Sequence, residues 1–444
     1  MVLQINIAID RTVVITGKKG KLMSVRFYNC RILTMKDNSI TDGELWTDND
    51  RISYIGPSKD ASDKKFDREI DCKGNLLMPG LKNAHTHSAM TFSRSLADEY
   101  CLNDWLHKAI FPREAKLTPE AVYWFSKLAY AEYLAGGITA CFDMYFHREE
   151  NARAAVETGF RHVFCGAAND FGGFESLEKY YNELNSYDPL VSFILGFHAE
   201  YTTCEDNLKY MSELAHKYEA PVFTHISETT EEVEGCKERY GVTPAVLFDK
   251  LGIFDFGGGG FHCVWFTDED RDIFKNRGLW SVFNACSNLK LASGITPVYK
   301  FIENDMKIAI GTDGAGSNNA LSMFREMYLD TVLSNVETHN AAAVDPFVIL
   351  KAGTSGGAQC MGLKDSDVLA EGKKADIIMI DMNKPSMQPE NNIVRNIIYS
   401  ADNSVVKMTM IDGKILYEDG KYTTIDLDEV IRESNKFMQG LSDI

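Results

Sequence analysis

The sequence predicts an α/β protein: a (β/α)8 TIM-like barrel with a small β-sandwich formed by both chain ends. Three observations carry that prediction. Short apolar runs alternate with amphipathic stretches through the middle of the 444-residue chain. Both ends are instead rich in short β-branched runs closed by tight turns. Histidine, aspartate, glutamate and asparagine collect where the apolar runs of the middle end, and in a barrel those strand ends form the active face.

Residues 1–21 stand as an extension with no assigned place. Residues 22–78 make the first part of the sandwich. There SVRFYNCRILTM and ELWTDNDRISYIG alternate and break at Asp-Asn-Asp and Gly-Pro turns. Residues 79–366 are the barrel. ITACFDMY, HVFCGAA, SFILGFH, PVFTHIS, GGFHCVWF, WSVFNAC and KIAIGTDG read as strands, and PEAVYWFSKLAYAEYLAGG and EDNLKYMSELAHKYEA as helices. About eight strand–helix repeats fit this length. Residues 367–425 complete the sandwich, with hairpin turns at Asp412-Gly413 and Asp419-Gly420. Residues 426–444 read as a closing amphipathic helix.

Composition narrows the function classes. At 45% hydrophobic and 11% aromatic the chain can bury a large core. Its 46 basic and 64 acidic residues give a net charge of −18, which repels phosphate backbones and argues against a nucleic-acid partner. A small-molecule partner is expected. The ten cysteines form no CxxC pair and read as buried free thiols in a reducing compartment. The N-terminus lacks the marks of a secretory signal, and no apolar run reaches the ~18 residues of a membrane span. The expectation is a cytoplasmic homo-oligomer that touches no membrane. FGGGG at 256–260 is not a phosphate cradle, because no Lys-Ser/Thr pair follows and a strand, not a helix, comes next.

Of ten histidines, five end strands in the barrel: His85, His87, His198, His225 and His262. In MPGLKNAHTHSAM, His85 and His87 are two apart and point to one side of an extended strand. Alone, that pair is equally a structural feature. It gains weight from THISE, where Glu228 follows His225, and from IAIGTDGAGSNN, where Asp313 ends a strand before a Gly-rich loop. Three imidazoles and one carboxylate form a donor set suited to a divalent metal such as zinc. His107, His147, His162, His216 and His339 are assigned to helices or loops, with ordinary surface or packing roles.

Together, PGLKNAHTHSAMTFSRSLAD, LAGGITACFDMY, THISET, HCVWF, NACSNLKLASGITP and GTDGAGSNN resemble the amidohydrolase superfamily. Within it they are similar to the branch of S-adenosylhomocysteine/methylthioadenosine deaminases, guanine deaminases and triazine hydrolases. The resemblance runs from about residue 24 to residue 425. It implies that His85, His87, His225 and Asp313 bind metal. It makes Glu228 the proton shuttle and His262 the residue that polarises the attacking water or the substrate. Asp313 also accepts the first proton, so it is both ligand and catalytic group. Trp105 would line the substrate pocket, Glu114 grip ribose-like hydroxyls and His198 touch substrate. For Trp105 and Glu114 the plainer alternative is an amphipathic helix with a buried Trp. The strand ending at His198 has no lysine at its tip, which implies one metal per chain, zinc first and iron as the alternative.

The implied reaction is hydrolytic deamination of a heteroaromatic ring, with an adenosine-type nucleoside foremost. A guanine-, pterin- or cytosine-type free-base deaminase and a triazine-like chlorohydrolase stay open. A non-enzymatic scaffold would require a lost ligand or shuttle, and none is lost. Two departures bear on the substrate. The segment from Val163 to Leu177 has no Arg or Lys, where adenosyl-type members are expected to carry arginines. Ala285 stands where the family motif has proline.

Overall fold

The computed structural model describes residues 23–441, so the expected extension at 1–21 lies outside the described residues. The first chain end forms β1 (Val25–Leu33), β2 (Ile40–Asp48), β3 (Arg51–Gly56), β4 (Arg68–Asp71) and β5 (Leu76–Pro79). The barrel strands are β6 (Leu81–Thr86), β7 (Ile138–Asp143), β8 (Arg161–Cys165), β9 (Val191–Gly196), β10 (Val222–Ile226), β11 (Gly258–His262), β12 (Trp280–Phe283) and β13 (Lys307–Ile310). The chain then returns through β14 (Ile377–Ile380), β15 (Val406–Ile411), β16 (Lys414–Glu418) and β17 (Lys421–Tyr422).

The eight strands from β6 to β13 lie in sequence order, and every recorded pairing among them is parallel. The Asp313 amide donates to the His85 carbonyl at 3.0 Å, which brings the last strand back to the first. The two chain ends merge in one nine-stranded sheet, where β5 bridges β1 and β14. Pro79 ends that sheet and Leu81 begins the barrel. A Cβ on the intervening Gly80 would lie 2.2 Å from Thr139 Cγ2, so only glycine fits the crossing. The helix Leu427–Gln439 follows the last strand. Its Ser434 hydroxyl donates to the Trp124 carbonyl of the helix Pro119–Ala135, and Leu441 packs with Val122 and Phe125.

Inside the barrel, Ala84, Ala140, Phe142, Val163, Phe223, Phe261, Val282 and Ala309 fill the lumen. The glycine run belongs to this packing. Gly258, Gly259 and Gly260 lie within β11, and a Cβ on each would meet Val222 O, Trp280 O or Ile226 Cγ2 at 1.9–2.3 Å. All ten thiols are free, but Cys101 and Cys204 are exposed rather than buried. Both sit at helix N-cap positions, where the chain turns at the surface. No helix among the described residues is long and apolar enough to cross a membrane.

Candidate active site

Four strand ends converge at the C-terminal face of the barrel. β6 delivers His85 and, one residue past its end, His87; β10 delivers His225; β11 ends on His262; Asp313 follows β13. Ring centroids of His85 lie 4.9 Å from those of both His87 and His225, and 5.6 Å from that of His262. Asp313 Oδ1 is 3.4 Å from His85 Nε2 and 3.1 Å from His87 Nε2. Four non-glycine residues of this face hold left-handed backbone: Ser227, His262, Cys263 and Asp313 have φ between 50° and 75°. Such conformations persist where surrounding contacts over-determine them.

The hydrogen bonds aim one nitrogen of each imidazole inward. His87 Nδ1 donates to the Met144 carbonyl at 2.6 Å and His225 Nδ1 to the His198 carbonyl at 2.7 Å. A carbonyl only accepts, so Nδ1 donates to it in each ring and Nε2 is the nitrogen turned to the centre. His85 is fully buried against Phe261, with ring centroids 3.9 Å apart, and neither of its nitrogens has a hydrogen-bond partner. Burial drives its pKa down to about 3, so the ring is neutral. Buried polar atoms are rarely left unpaired. Ligand atoms of His85, His87 and His225 lie within 4.8 Å of one another, as do those of His85, His262 and Asp313. The donors present therefore fit a divalent cation.

Around this centre stand the groups that can move protons. Glu228 is buried, and desolvation pushes its carboxyl above the ordinary range. Its Oε1 accepts from the Ser293 hydroxyl at 3.0 Å, and its Oε2 lies 3.7 Å from His262 Nε2. His262 Nδ1 donates to Asn288 Oδ1 at 2.7 Å, which leaves Nε2 free toward the centre. Asp313 Oδ2 accepts from Ser287 at 2.6 Å and Ser317 at 2.7 Å.

One pocket is lined by His87, His225, Glu228, His262 and Asp313 together with Trp105, Glu114 and His198. Trp105 is 5% exposed and its Nε1–H has no partner. Glu114 Oε1 accepts from Tyr145 OH at 2.9 Å. His198 Nδ1 bonds Thr202 Oγ1 at 2.9 Å, and that hydroxyl donates onward to Ala199 O. The histidine is thus the donor there, and Nε2 remains an acceptor. Leu102, Leu106, Ile110, Phe111 and Phe146 make the apolar wall, and no Lys or Arg lines the pocket among the described residues.

His162 departs from the expectation of a helix or loop position. It lies in β8, fully buried, on the side that faces the helices. Its neighbours Cys141 and Asp143 have metal-ligand chemistry, but the imidazole divides them. Cys141 Sγ is 3.4 Å from Nδ1, which also meets Tyr130 OH at 2.8 Å, while Asp143 Oδ2 is 3.5 Å from Nε2. One ring nitrogen cannot serve both groups, so the cluster reads as packing behind the active face.

The sequence reading missed the supporting residues Ser287, Ser293, Ser317, Thr202 and Tyr145. Ser287, Ser293 and Ser317 sit inside the motifs quoted above, but their partners are brought to them only by folding. It also missed Glu232, whose signal was present: Thr229-x-x-Glu232 is the pattern of a helix N-terminal capping box.

Comparison with known proteins identifies the family of the chain. The model of the amidohydrolase family matches residues 76–416. A 5-methylthioadenosine/S-adenosylhomocysteine deaminase of Caldanaerobacter subterraneus subsp. tengcongensis is 37% identical over 94% of this chain and 99% of its own. A 5'-deoxyadenosine deaminase of Methanobrevibacter smithii is 37% identical over 93% of this chain and 97% of its own. The crystal structure of an adenosine deaminase from Xanthomonas campestris with bound zinc superposes with a TM-score of 0.89. It is 29% identical, over 95% of this chain and 98% of that one. The matched span includes every strand that delivers a residue to the centre, and so the chain belongs to the amidohydrolase family.

Proposed function

We propose that the protein is a metal-dependent hydrolytic deaminase that replaces the exocyclic amine of a neutral adenosine-type nucleoside by oxygen and releases ammonia. The observation that carries this reading is the pair of nitrogens without a hydrogen bond on buried His85, grouped with His87, His225 and Asp313, which line one pocket with the buried carboxyl of Glu228. His85, His87, His225 and Asp313 would hold one divalent cation, zinc first and iron as the alternative. Bound there, the cation would supply Lewis-acid activation of water, whose pKa such ions lower toward ~7. Asp313 accepts the first proton from the attacking water. Glu228 carries a proton onward to the departing amine, a task that suits a carboxyl raised by burial. His262, with Nε2 turned to the centre, hydrogen-bonds the attacking oxygen and steadies charge as the tetrahedral centre forms.

The pocket supports the choice of substrate. Trp105 offers a flat wall for a purine, and Glu114 accepts from ribose hydroxyls. The relatives named above act, by their names, on methylthioadenosine, S-adenosylhomocysteine or 5'-deoxyadenosine. Without a lining guanidinium, the charged tail of S-adenosylhomocysteine has no fixed partner here. Neutral nucleosides should therefore be preferred: adenosine, 5'-deoxyadenosine and methylthioadenosine. The test is ammonia release by zinc-loaded protein from these three, S-adenosylhomocysteine, guanine, a pterin and cytosine. A preference for any free base over every nucleoside would reject the nucleoside reading. The acidic balance and free thiols support a cytoplasmic setting without nucleic acid, and sedimentation would test the expected homo-oligomer.

A further inference from the structure

Glu232 is 4% exposed, and no ion pair to it is found among the described residues. A buried carboxylate without a counter-charge costs stability unless hydrogen bonds compensate it. Its two oxygens are each satisfied by backbone. Oε1 accepts from the Ser227 amide and Oε2 from the Glu228 amide, both at 2.8 Å. These amides belong to the turn that carries β10 out to Glu228, and Ser227 holds a left-handed φ of 50° within it.

An ordinary cap elsewhere in the molecule shows what is unusual. At the helix Asp268–Arg277, Asp270 returns to the amide of its own N-cap, Thr267, at 2.8 Å. Glu232 has the same third position in the helix Thr230–Tyr240, and its amide likewise donates to the N-cap hydroxyl of Thr229. Yet its side chain passes over Thr229 and reaches the two preceding residues. The fork thus spans the helix start and the residue that ends the turn, while Ser293 holds the other end of Glu228.

We infer that Glu232 is a positioning residue for Glu228: its bidentate grip on the Ser227 and Glu228 amides fixes where the Glu228 carboxyl meets His262. The inference rests on the reading of Glu228 as the proton carrier. It is tested with full-length, zinc-loaded protein on methylthioadenosine. Glu232→Gln keeps the shape, but its NH2 cannot accept from an amide. It should lower kcat by about 10–100-fold, the scale of an ångström-sized misplacement, with KM within about threefold and zinc content unchanged. In a Glu228→Gln background the same change should cost less than about twofold more, because the group it positions is already disabled. Asp270→Asn, which weakens the ordinary cap, should lower the melting temperature and leave kcat in place. If Glu232→Gln is insoluble, Glu232→Asp keeps the charge one methylene short and should give a smaller loss of kcat with zinc retained. Wild-type kcat in the soluble Glu232 variant would overturn the inference. So would equal fractional losses in both backgrounds, or a matching loss of kcat in Asp270→Asn. Near-wild-type turnover in Glu228→Gln alone would instead remove Glu228 as proton carrier, a failure of the proposed function and a separate result.

Discussion

The two ends of the barrel both bury charge, and they treat it in opposite ways. At the N-terminal end Arg161 opens β8 and forms a fork with Asp376, Nε to Oδ2 at 2.9 Å and Nη2 to Oδ1 at 3.1 Å. Asp412 completes the guanidinium, and Lys374 pairs with Asp412 and Asp50. Lys82 is fully buried, with its ammonium on Thr139 Oγ1 at 2.7 Å and Gly80 O at 3.2 Å. Burial lowers its pKa to about 8. Each group there has its partner, and the network ties the barrel to the sheet of the chain ends. At the C-terminal end neither nitrogen of His85 makes a hydrogen bond, and Asp313 Oδ1 lies 3.4 Å from its Nε2. A satisfied network supports the fold. An unsatisfied one, held in place by its neighbours, is organised for something that binds.

Breaking either end should show the difference. The largest effect belongs to the active face. Glu228→Gln should cut turnover by about 10²–10⁴-fold, the usual contribution of a placed acid–base group, with zinc content and melting temperature unchanged. Turnover within about threefold of wild type would show that another residue carries the proton. At the opposite end, Asp376→Asn removes one partner of a buried ion pair and should cost about 3–5 kcal/mol of stability, while kcat of the folded protein holds. Denaturant unfolding and initial rates measured on one preparation separate these outcomes.

A pH profile sharpens the comparison further. Burial pushes Asp376 up, but the charge of Arg161 overrides it and holds the carboxyl below its ordinary value. A depressed carboxylate contributes stability that is full above its unfolded pKa of about 4 and fades as pH falls through the lower folded value. Melting temperature should therefore drop in acid below about pH 4 more steeply in the wild type than in Asp376→Asn. Parallel curves would remove Asp376 from the account of acid unfolding. The smallest expected effect lies at the pocket rim. Glu114→Ala should raise KM for the nucleoside and leave any free-base turnover nearly unchanged. Equal losses on both would refute the ribose role of Glu114.

What could be read from the sequence divides along the same line. The barrel strands were legible because apolar runs of strand length alternate with helical periodicity. The candidate metal donors were legible because His85, His87, His225 and Asp313 each sit in a short local motif at a strand end. Their supports were not, because distance in sequence hides them. Ser293 lies 65 residues from Glu228, Ser287 26 from Asp313 and Tyr145 31 from Glu114. His162 opens the run HVFCGAA, which read as a strand, so its grouping with helix and loop histidines ignored a signal already present. The ion pairs of the N-terminal end were equally hidden, since Arg161 meets Asp376 across 215 residues. Glu232 stood in a readable pattern but uses it for a different pair of amides.

The central claim is that one divalent cation, held by His85, His87, His225 and Asp313, drives deamination. The direct measurement is a zinc titration of chelator-treated protein, following bound metal by elemental analysis and ammonia release from methylthioadenosine on the same samples. The account predicts that activity is absent at the start, rises in proportion to zinc bound, and levels off at about one equivalent per chain. Full activity in the metal-free protein, or a plateau only at two equivalents, would contradict it.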